Sequence, residues 1–515
     1  MRSRRSESTI EPYDARAGKR DRKIPAFSGP FFPMRGLSLI ARHDGTLNPL
    51  MYPTDTIVAS ATPAGQGAVA IVRLSGPRAF EIARTLWHPL RQGSSEPAER
   101  SVEGWRLRLG EIRDPQGGFT LDRALCVLMP GPRSLTGEDV AELHCHGGVY
   151  LVRRIIALAT AAGARMAEPG EFSRRAFLNG RIGLTEAEAV ADLISARSEN
   201  ALKQAIAHLD GALAQRVNGL RKQVIAIRAH LEAEIDFGDE DLRLPSRKEL
   251  ACDLTRLLDD VTLLHDSFAR GRIAREGARA AIVGKPNAGK SSVLNLLLGS
   301  DRAIVTPIAG TTRDVIEESI QVGPWPLVIQ DTAGIRDGRD EVERIGIERT
   351  RRHAAAADLI IAVFDSSLAF EPEDASVMDL CAGRPGVALL NKRDLPQRLA
   401  ADELLKRRLS LDVVDFSALT ADGLPELRER LERKVEAIAG TSQGDGVAIS
   451  RERHRAALAC ARDALEAARG NVAAMPPEIV AVDVGFAAEA LGAITGEVST
   501  EDVLDAIFRE FCIGK

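Results

Sequence analysis

A chain of 515 residues is too long for a single hydrophobic core and has room for about three domains of ordinary size. Hydrophobic residues make up 44% and charged residues 27% of it, no apolar run approaches the roughly 18 residues that span a bilayer, and stable membrane insertion is not expected. The net charge of −5 conceals a basic start, so the remainder is acidic enough to exclude a broad phosphate-binding surface, and a nucleic-acid partner would need a local patch or a basic companion.

Residues 1–50 carry ten Lys/Arg against five Asp/Glu, show no periodicity and lack the apolar core of a secretory signal. They read as a disordered extension, with Met51 as the functional start. From Asp55 the stretch DTIVASATPAGQGAVAIVRLSG predicts a short strand, a Gly-rich loop and an apolar strand from Ala68 to Leu74. ALCVLMPGPRSLTGEDVAELHCHGG repeats the pattern, giving a mixed α/β unit over 51–179. His144, Cys145 and His146 within it could suggest metal ligation, but no second cluster stands at zinc-like spacing, and Gly147-Gly148 reads as strand-to-helix punctuation.

Past Leu184 the turn signals stop. Leu202, Ile206, Leu209, Leu213, Val217, Leu220, Val224, Ile227, Leu231 and Ile235 recur at steps of four and three, which predicts one long amphipathic helix in a helical region over 180–276. From Gly277 the pattern becomes strands alternating with helices, with apolar runs at ARAAIV, Leu327–Gln330, Leu359–Phe364 and Val387–Leu390; a mostly parallel sheet is expected over 277–440. Helical patterning returns over 441–515, so the sheet domain reads as an insertion between two helical segments that pack together. The six cysteines (Cys126, Cys145, Cys252, Cys381, Cys460 and Cys512) include no C-x-x-C pair, which fits reduced thiols in a cytoplasmic protein.

The inserted region carries the strongest chemistry. GKPNAGKS, Gly284 to Ser291, follows a predicted strand and opens a predicted helix, the context a phosphate-binding loop requires. There the N–H groups from Asn287, Ala288 and Gly289 onward through Ser291 and Ser292 would face phosphate, Lys290 would reach the β/γ oxygens and Ser291 would hold Mg²⁺. DTAG (Asp331, Thr332, Ala333, Gly334) places a carboxylate near the metal and a glycine N–H near the γ-phosphate. NKRD (Asn391, Lys392, Arg393, Asp394) ends a later strand; the Asp394 carboxylate can accept both N–H groups of a guanine edge, which adenine does not present, so GTP is the expected nucleotide. Ser417 and Ala418 would offer backbone N–H groups to the guanine carbonyl, and Thr306, Thr311 and Thr312 lie on a loop that would sense the γ-phosphate, with Thr312 as second Mg²⁺ ligand. After DTAG comes Ile335, where many signalling GTPases use a glutamine to orient water, so another group must do so.

With those residues assembled, the chain resembles the MnmE (TrmE) family of tRNA-modification GTPases from about residue 53 to the end. The resemblance rests on PNAGKSSVLN, IAGTTRD, DTAGIR, DEVERIGIER, TGEDVAELHCHGG, GEFSRRAFLNGRIGLTEAEAVADLI and the closing FCIGK. It implies an N-terminal folate-binding and dimerising α/β domain, a discontinuous helical domain and an inserted Ras-like G domain. It further implies a homodimer, a heterotetramer with an MnmG-type flavoprotein carrying FAD, tRNA bound mainly through that complex, and modification of carbon five of the wobble uridine with a tetrahydrofolate one-carbon donor. By position it points to Glu343 for orienting water, to Asn287, Thr306, Ile308 and Thr311 for a K⁺ ion that replaces an arginine finger, and to Arg73, Glu138, Arg181 and Lys515 for folate. Pro307 and Arg181 stand where relatives often carry Asp and Lys.

Cys512 is fourth from the end, but Gly514 and Lys515 follow it and Glu501, Asp502, Asp505 and Glu510 precede it, which excludes a prenylation box. The resemblance gives CIGK a different destination, the folate pocket, with Cys512 catalytic or positional. The alternative reading of the whole is a ribosome-assembly GTPase without RNA-modifying chemistry.

Overall fold

The computed structural model describes residues 55–90, 104–237, 244–300, 318–330, 352–440, 446–497, 500–509 and 511–515. The extension 1–50, the loop bearing Thr306, Ile308, Thr311 and Thr312, and the segment bearing Asp331, Thr332, Ala333, Gly334 and Glu343 lie outside the described residues.

The N-terminal sheet contains β1 (Ile57–Ser60), β2 (Gly67–Ser75), β3 (Trp87–Pro89), β4 (Arg108–Arg113), β5 (Thr120–Met129), β6 (Val140–Gly147) and β7 (Arg165–Met166), in the order β3-β4-β5-β6-β2-β1-β7. Neighbours run antiparallel except β1 with β7. Alternation along each strand sends Val58, Val72, Leu74 and Leu143 to one face, under the helices Ala79–Leu86 and Val149–Ala161. Ile57 and Ala59 point the other way, onto Phe172 of the helix Glu171–Leu178. Farther along the sheet Leu109 and Leu125, cross-strand partners, remain 52% and 37% exposed.

The second sheet contains β8 (Ala278–Val283), β9 (Glu318–Val322), β10 (Trp325–Gln330), β11 (Leu359–Asp365), β12 (Gly386–Asn391) and β13 (Asp412–Asp415) in the order β13-β12-β11-β8-β10-β9. Its pairs are parallel save β9 with β10, so the expected parallel sheet carries one antiparallel edge hairpin. β11 and β12 are buried along their whole length, as continuous apolar runs in a sheet covered on both faces should be.

Around this sheet the chain is helical. Leu213, Val217, Leu220, Val224, Ile227 and Leu231 line the buried stripe of the helix Ala212–Asp236. They share a core with Leu254, Val261, Leu458, Leu465, Val484 and Leu491 from the helices Arg247–Asp266, Glu452–Asn471 and Pro477–Thr495. Each such side chain contributes about 1.5–3 kcal/mol. The two helical segments on either side of the inserted sheet thus form one core.

The single long helix expected through Leu202 to Ile235 is two. It breaks at Asp210-Gly211, where Gly211 takes φ +84, and the helix Glu199–Leu209 turns Ala201, Ala205 and His208 inward instead of Leu202 and Ile206, which are 43% and 44% exposed. A left-handed residue restarts the helical phase, so a spacing that is continuous in sequence is not continuous in space.

Candidate functional site

The parallel strands β8, β11 and β12 end at one edge of the second sheet, and two of the predicted nucleotide motifs sit on that edge. The loop after β8 runs from Gly284 to Gly289 and feeds the helix Lys290–Ser300, so its N–H groups cluster at a helix N-terminus. Asn287 has φ +61 and Gly289 φ +100; a Cβ on Gly289 would lie 2.2 Å from Asn391 Nδ2, so that turn admits glycine only. The Lys290 ammonium donates to the carbonyls of Gly284 (2.9 Å) and Lys285 (2.8 Å), which arches it back over its own loop. Such a cradle of close-packed backbone and a loop-held ammonium fits a polyphosphate.

Asn391, at the end of β12, is 2% exposed. Its Nδ2 donates to the Ala288 carbonyl at 2.8 Å, and its Oδ1 accepts from the Ala418 N–H at 3.0 Å. The Ser417 hydroxyl donates to Asp394 Oδ1 at 2.6 Å and engages one of the two carboxylate oxygens. Lys392, in the left-handed region at φ +68, donates through Nζ to Asp365 Oδ2 at 2.6 Å. Burial pushes the Asp365 carboxyl up, but the bonds from Lys392 and Ser367 outweigh it and hold the group below the usual carboxylate range. The Ser417 N–H donates to Asp422 O at 3.1 Å and the Ala418 N–H to Asn391 Oδ1 at 3.0 Å, so each amide expected at the guanine carbonyl has a protein partner here.

Lys285 also has a role that sequence reasoning missed. Its side chain is buried and donates to Glu371 Oε2 at 2.7 Å and Asp374 Oδ2 at 3.0 Å, pinning the phosphate loop to the helix Pro372–Cys381. A lysine inside a Gly-rich motif gives no sequence signal of a partner 86 residues away.

A second polar constellation lies on the N-terminal sheet, and the C-terminal tail closes over it. Arg73 and Glu142 are cross-strand partners on β2 and β6. Arg73 donates through Nε to Glu142 Oε1 (2.8 Å) and through Nη1 to the Gly514 carbonyl (3.2 Å), and its guanidinium stands 5.7 Å from the Phe172 ring centre. The far oxygen of Glu142 meets His144 Nε2 at 3.0 Å. The tail is tied by its backbone: Pro169 and Ile513 form an antiparallel bridge, and the Phe172 N–H donates to Lys515 O at 3.2 Å. Gly514, at φ +97, lies so near β1 that a Cβ would stand 2.0 Å from Ser60 O. Cys512 is exposed.

Glu138 is reached from the same side. Ser75 Oγ donates to its Oε2 at 2.7 Å and Arg175 Nη1 to its Oε1 at 3.2 Å. Arg181 donates to Ser134 O at 3.2 Å, and its side chain packs on Gly137, one residue before Glu138. Sequence reasoning missed Arg175, 8% exposed, which also donates to Asp55 Oδ1 (2.6 Å) and Glu171 Oε1 (3.0 Å). It lies in GEFSRRAFL, and the sequence does not say which of the two adjacent arginines turns inward. Burial alone would push Glu171 up; the Arg165 and Arg175 bonds bring it below the usual range, so the site keeps a fixed anion among cations. The cluster thus sets hydrogen-bond donors and acceptors around a carboxylate held between arginines.

Among the described residues no group of three or more His, Cys, Asp or Glu could hold a metal ion. Cys145 turns into the core, opposite to His144 and His146, and burial pushes its thiol up to about 11. Burial pushes Cys126 and Cys381 up to about 12. These three are packing residues. Among the described residues no helix is long and apolar enough to cross a membrane.

The sequence matches the family described as "GTP-binding protein TrmE N-terminus" over residues 56–181 and the one described as "MnmE helical domain" over residues 184–512, a span that encloses the second sheet. The tRNA modification GTPase MnmE of Natranaerobius thermophilus is 41% identical over 90% of this chain and 99% of its own length. That of Heliobacterium modesticaldum is 43% identical over the same shares. A solved structure of Aquifex aeolicus Era shares 27% identity over 36% of this chain and 66% of that one, with a TM-score of 0.25. Similarity that runs through the N-terminal sheet, both helical segments and the inserted sheet does not favour a ribosome-assembly GTPase. The chain belongs to the MnmE family of tRNA modification GTPases.

Proposed function

We propose that the protein hydrolyses GTP in the cytoplasm to drive modification of carbon five of the wobble uridine in certain tRNAs, adding an aminomethyl-type group together with an MnmG-type flavoprotein that carries FAD. The observation that carries the reading is the pairing, in one chain, of a Gly-rich loop tied to the NKRD strand end through Asn391 with a polar cluster at Arg73 to which the C-terminal tail is bonded. A timing GTPase needs the first and has no use for the second.

In the nucleotide site, Lys290 would leave its loop carbonyls for the β/γ oxygens, and Asp394, steadied by Ser417, would accept the guanine N–H groups. Mg²⁺, held by Ser291 and Thr312, would neutralise phosphate charge. K⁺, held by Asn287 and the backbone of Thr306, Ile308 and Thr311, would do the same at the developing charge. The left-handed turn at Asn287 favours a role for that residue at the loop's outer edge. Glu343 would orient the attacking water. In the second site Arg73, Glu138, Arg181 and Lys515 would hold a tetrahydrofolate, which supplies the one-carbon unit. Cys512, exposed on the docked tail, would act catalytically or as a positioning group.

The exposed Leu107, Leu109 and Leu125 support the homodimer, because apolar side chains clustered on a sheet face are a common mark of an interface. Lysine in place of Leu109 and Leu125 should give a monomer in sedimentation; an unchanged dimer would move the interface elsewhere. The base-reading claim is tested by Asp394→Asn, which should shift preference from guanine to xanthine nucleotides. Retained preference for GTP would refute it.

A further inference from the structure

The chain passes between the helical core and the inserted sheet twice, and one buried set of charges holds both crossings. Going out, the helix Phe268–Glu276 runs through Gly277 into β8. Coming back, residues 446–451 lead into the helix Glu452–Asn471. Asp192, on the helix Leu184–Ser195, stands between them. Its Oδ1 accepts from Arg451 Nη2 at 2.7 Å on the returning segment and pairs with Arg275 Nε at 3.1 Å on the outgoing helix. Arg275 also donates to the Ser450 carbonyl at 3.3 Å. One turn earlier Glu188, 2% exposed, accepts from Arg453 Nε (2.6 Å) and Nη2 (2.8 Å) and lies 3.0 Å from His454 Nε2.

Backbone contacts tighten the same joint. Gln204 and His208 both donate to the Ala448 carbonyl, at 3.0 and 2.9 Å, and the Ile449 N–H donates to Ser267 Oγ at 3.1 Å. Gly271 approaches so closely that a Cβ would lie 2.2 Å from Ile449 O. Well-packed apolar side chains would hold such a junction at least as firmly as buried ions do, so stability alone is a weak reason for five charged groups here. Fixing one arrangement out of several is the better-attested use of a buried ion pair.

The helix that carries Asp192 and Glu188 leads to the other site. At its start Leu184 and Ala187 pack with Leu504, Ile507, Phe508 and Phe511, and Phe511 is followed directly by the tail docked at Arg73. We infer that Asp192, bridging Arg275 and Arg451, is the positioning residue that passes the nucleotide state of the inserted sheet to the C-terminal tail. The inference rests on the GTPase reading above and names the joint through which that turnover acts.

Spatial continuity does not measure coupling, so the test reads coupling itself. The reporters are the Gly170 and Phe172 amides, which bond to the tail carbonyls of Cys512 and Lys515. In the full-length protein their hydrogen exchange should differ between GDP and a non-hydrolysable GTP analogue by about fivefold or more, the lower end of ordinary allosteric coupling. Asp192→Asn should abolish the difference while GTP hydrolysis stays within about twofold of the parent, and Asp192→Glu should restore it. Arg275→Gln, which breaks the joint from the other side, should behave as Asp192→Asn does. A parent whose tail exchanges alike in both nucleotide states overturns the inference, as does an Asp192→Asn protein that keeps the difference. If hydrolysis and circular dichroism collapse in both variants, Asp192 is scaffold and the inference falls too. A parent that binds and hydrolyses no GTP fails earlier, and sinks the GTPase reading itself.

Discussion

Asn391 and Ala288 join the two halves of the nucleotide site: the asparagine amide donates to the alanine carbonyl at 2.8 Å, across 103 residues of sequence, from a position that water does not reach. The same side chain accepts from Ala418, so one residue sets the distance between the phosphate cradle and the base-reading loop. Asn391→Ala would strand a buried carbonyl and a largely buried N–H, each worth about 1–3 kcal/mol. Nucleotide affinity should fall by about tenfold to a hundredfold, read by titration with a fluorescent guanine nucleotide. An affinity within a factor of two would mean that the two loops hold their spacing without it.

The tail should be separable from hydrolysis. Gly514 occupies the left-handed region with no room for a Cβ beside Ser60, and the left-handed backbone alone costs an L-residue about 1–2 kcal/mol. Gly514→Ala should therefore release CIGK from Arg73, leave GTP hydrolysis at the parental rate and abolish wobble-uridine modification in cells that carry it as the sole copy. Parental modification would show that the docked tail is dispensable.

Acid should loosen the joint between the helices and the inserted sheet. Burial holds His208 below its usual value, so the folded protein keeps the ring neutral while the unfolded chain takes up a proton near pH 6.5. A depressed folded value contributes stability that is complete above the unfolded value and is lost as pH falls through the folded one. His454 is depressed by burial in the same way. The urea midpoint followed by circular dichroism should drop between pH 7.5 and 5.5, and His208→Gln should shrink the drop, since glutamine keeps a donor for Ala448 without titrating. An equal drop in the variant would remove His208 from the pH response.

The two nucleotide motifs that fall on described residues stand out in the sequence because each is contiguous: Gly284 to Ser291 and Asn391 to Asp394 each compress a loop and its charges into a few residues that follow an apolar strand. The ties between them do not. Ser417 is expected from sequence to offer its amide to the base, yet its hydroxyl bonds Asp394 and its amide bonds Asp422, because a hydrogen-bond partner is set by the fold of the loop and not by the triplet. The second site was less visible still. Arg73 and Glu138 could be placed only by resemblance, while Arg175, which binds Glu138, Asp55 and Glu171 together, looks in sequence like any arginine of an amphipathic helix. Periodicity misled at Gly211, where the spacing of leucines ran on through a residue that turns left-handed and restarts the helix in a new phase.

The reading as a whole is tested most directly by nucleoside mass spectrometry of tRNA from a strain lacking this gene, complemented either with the parent or with Gly289→Ala, whose Cβ would collide with Asn391 in the phosphate loop. Carboxymethylaminomethyl- or aminomethyl-type wobble uridines should be missing from the deletion strain, return with the parent and stay missing with the variant. Intact wobble modification in the deletion strain, or full rescue by a protein that cannot hold GTP, would contradict it.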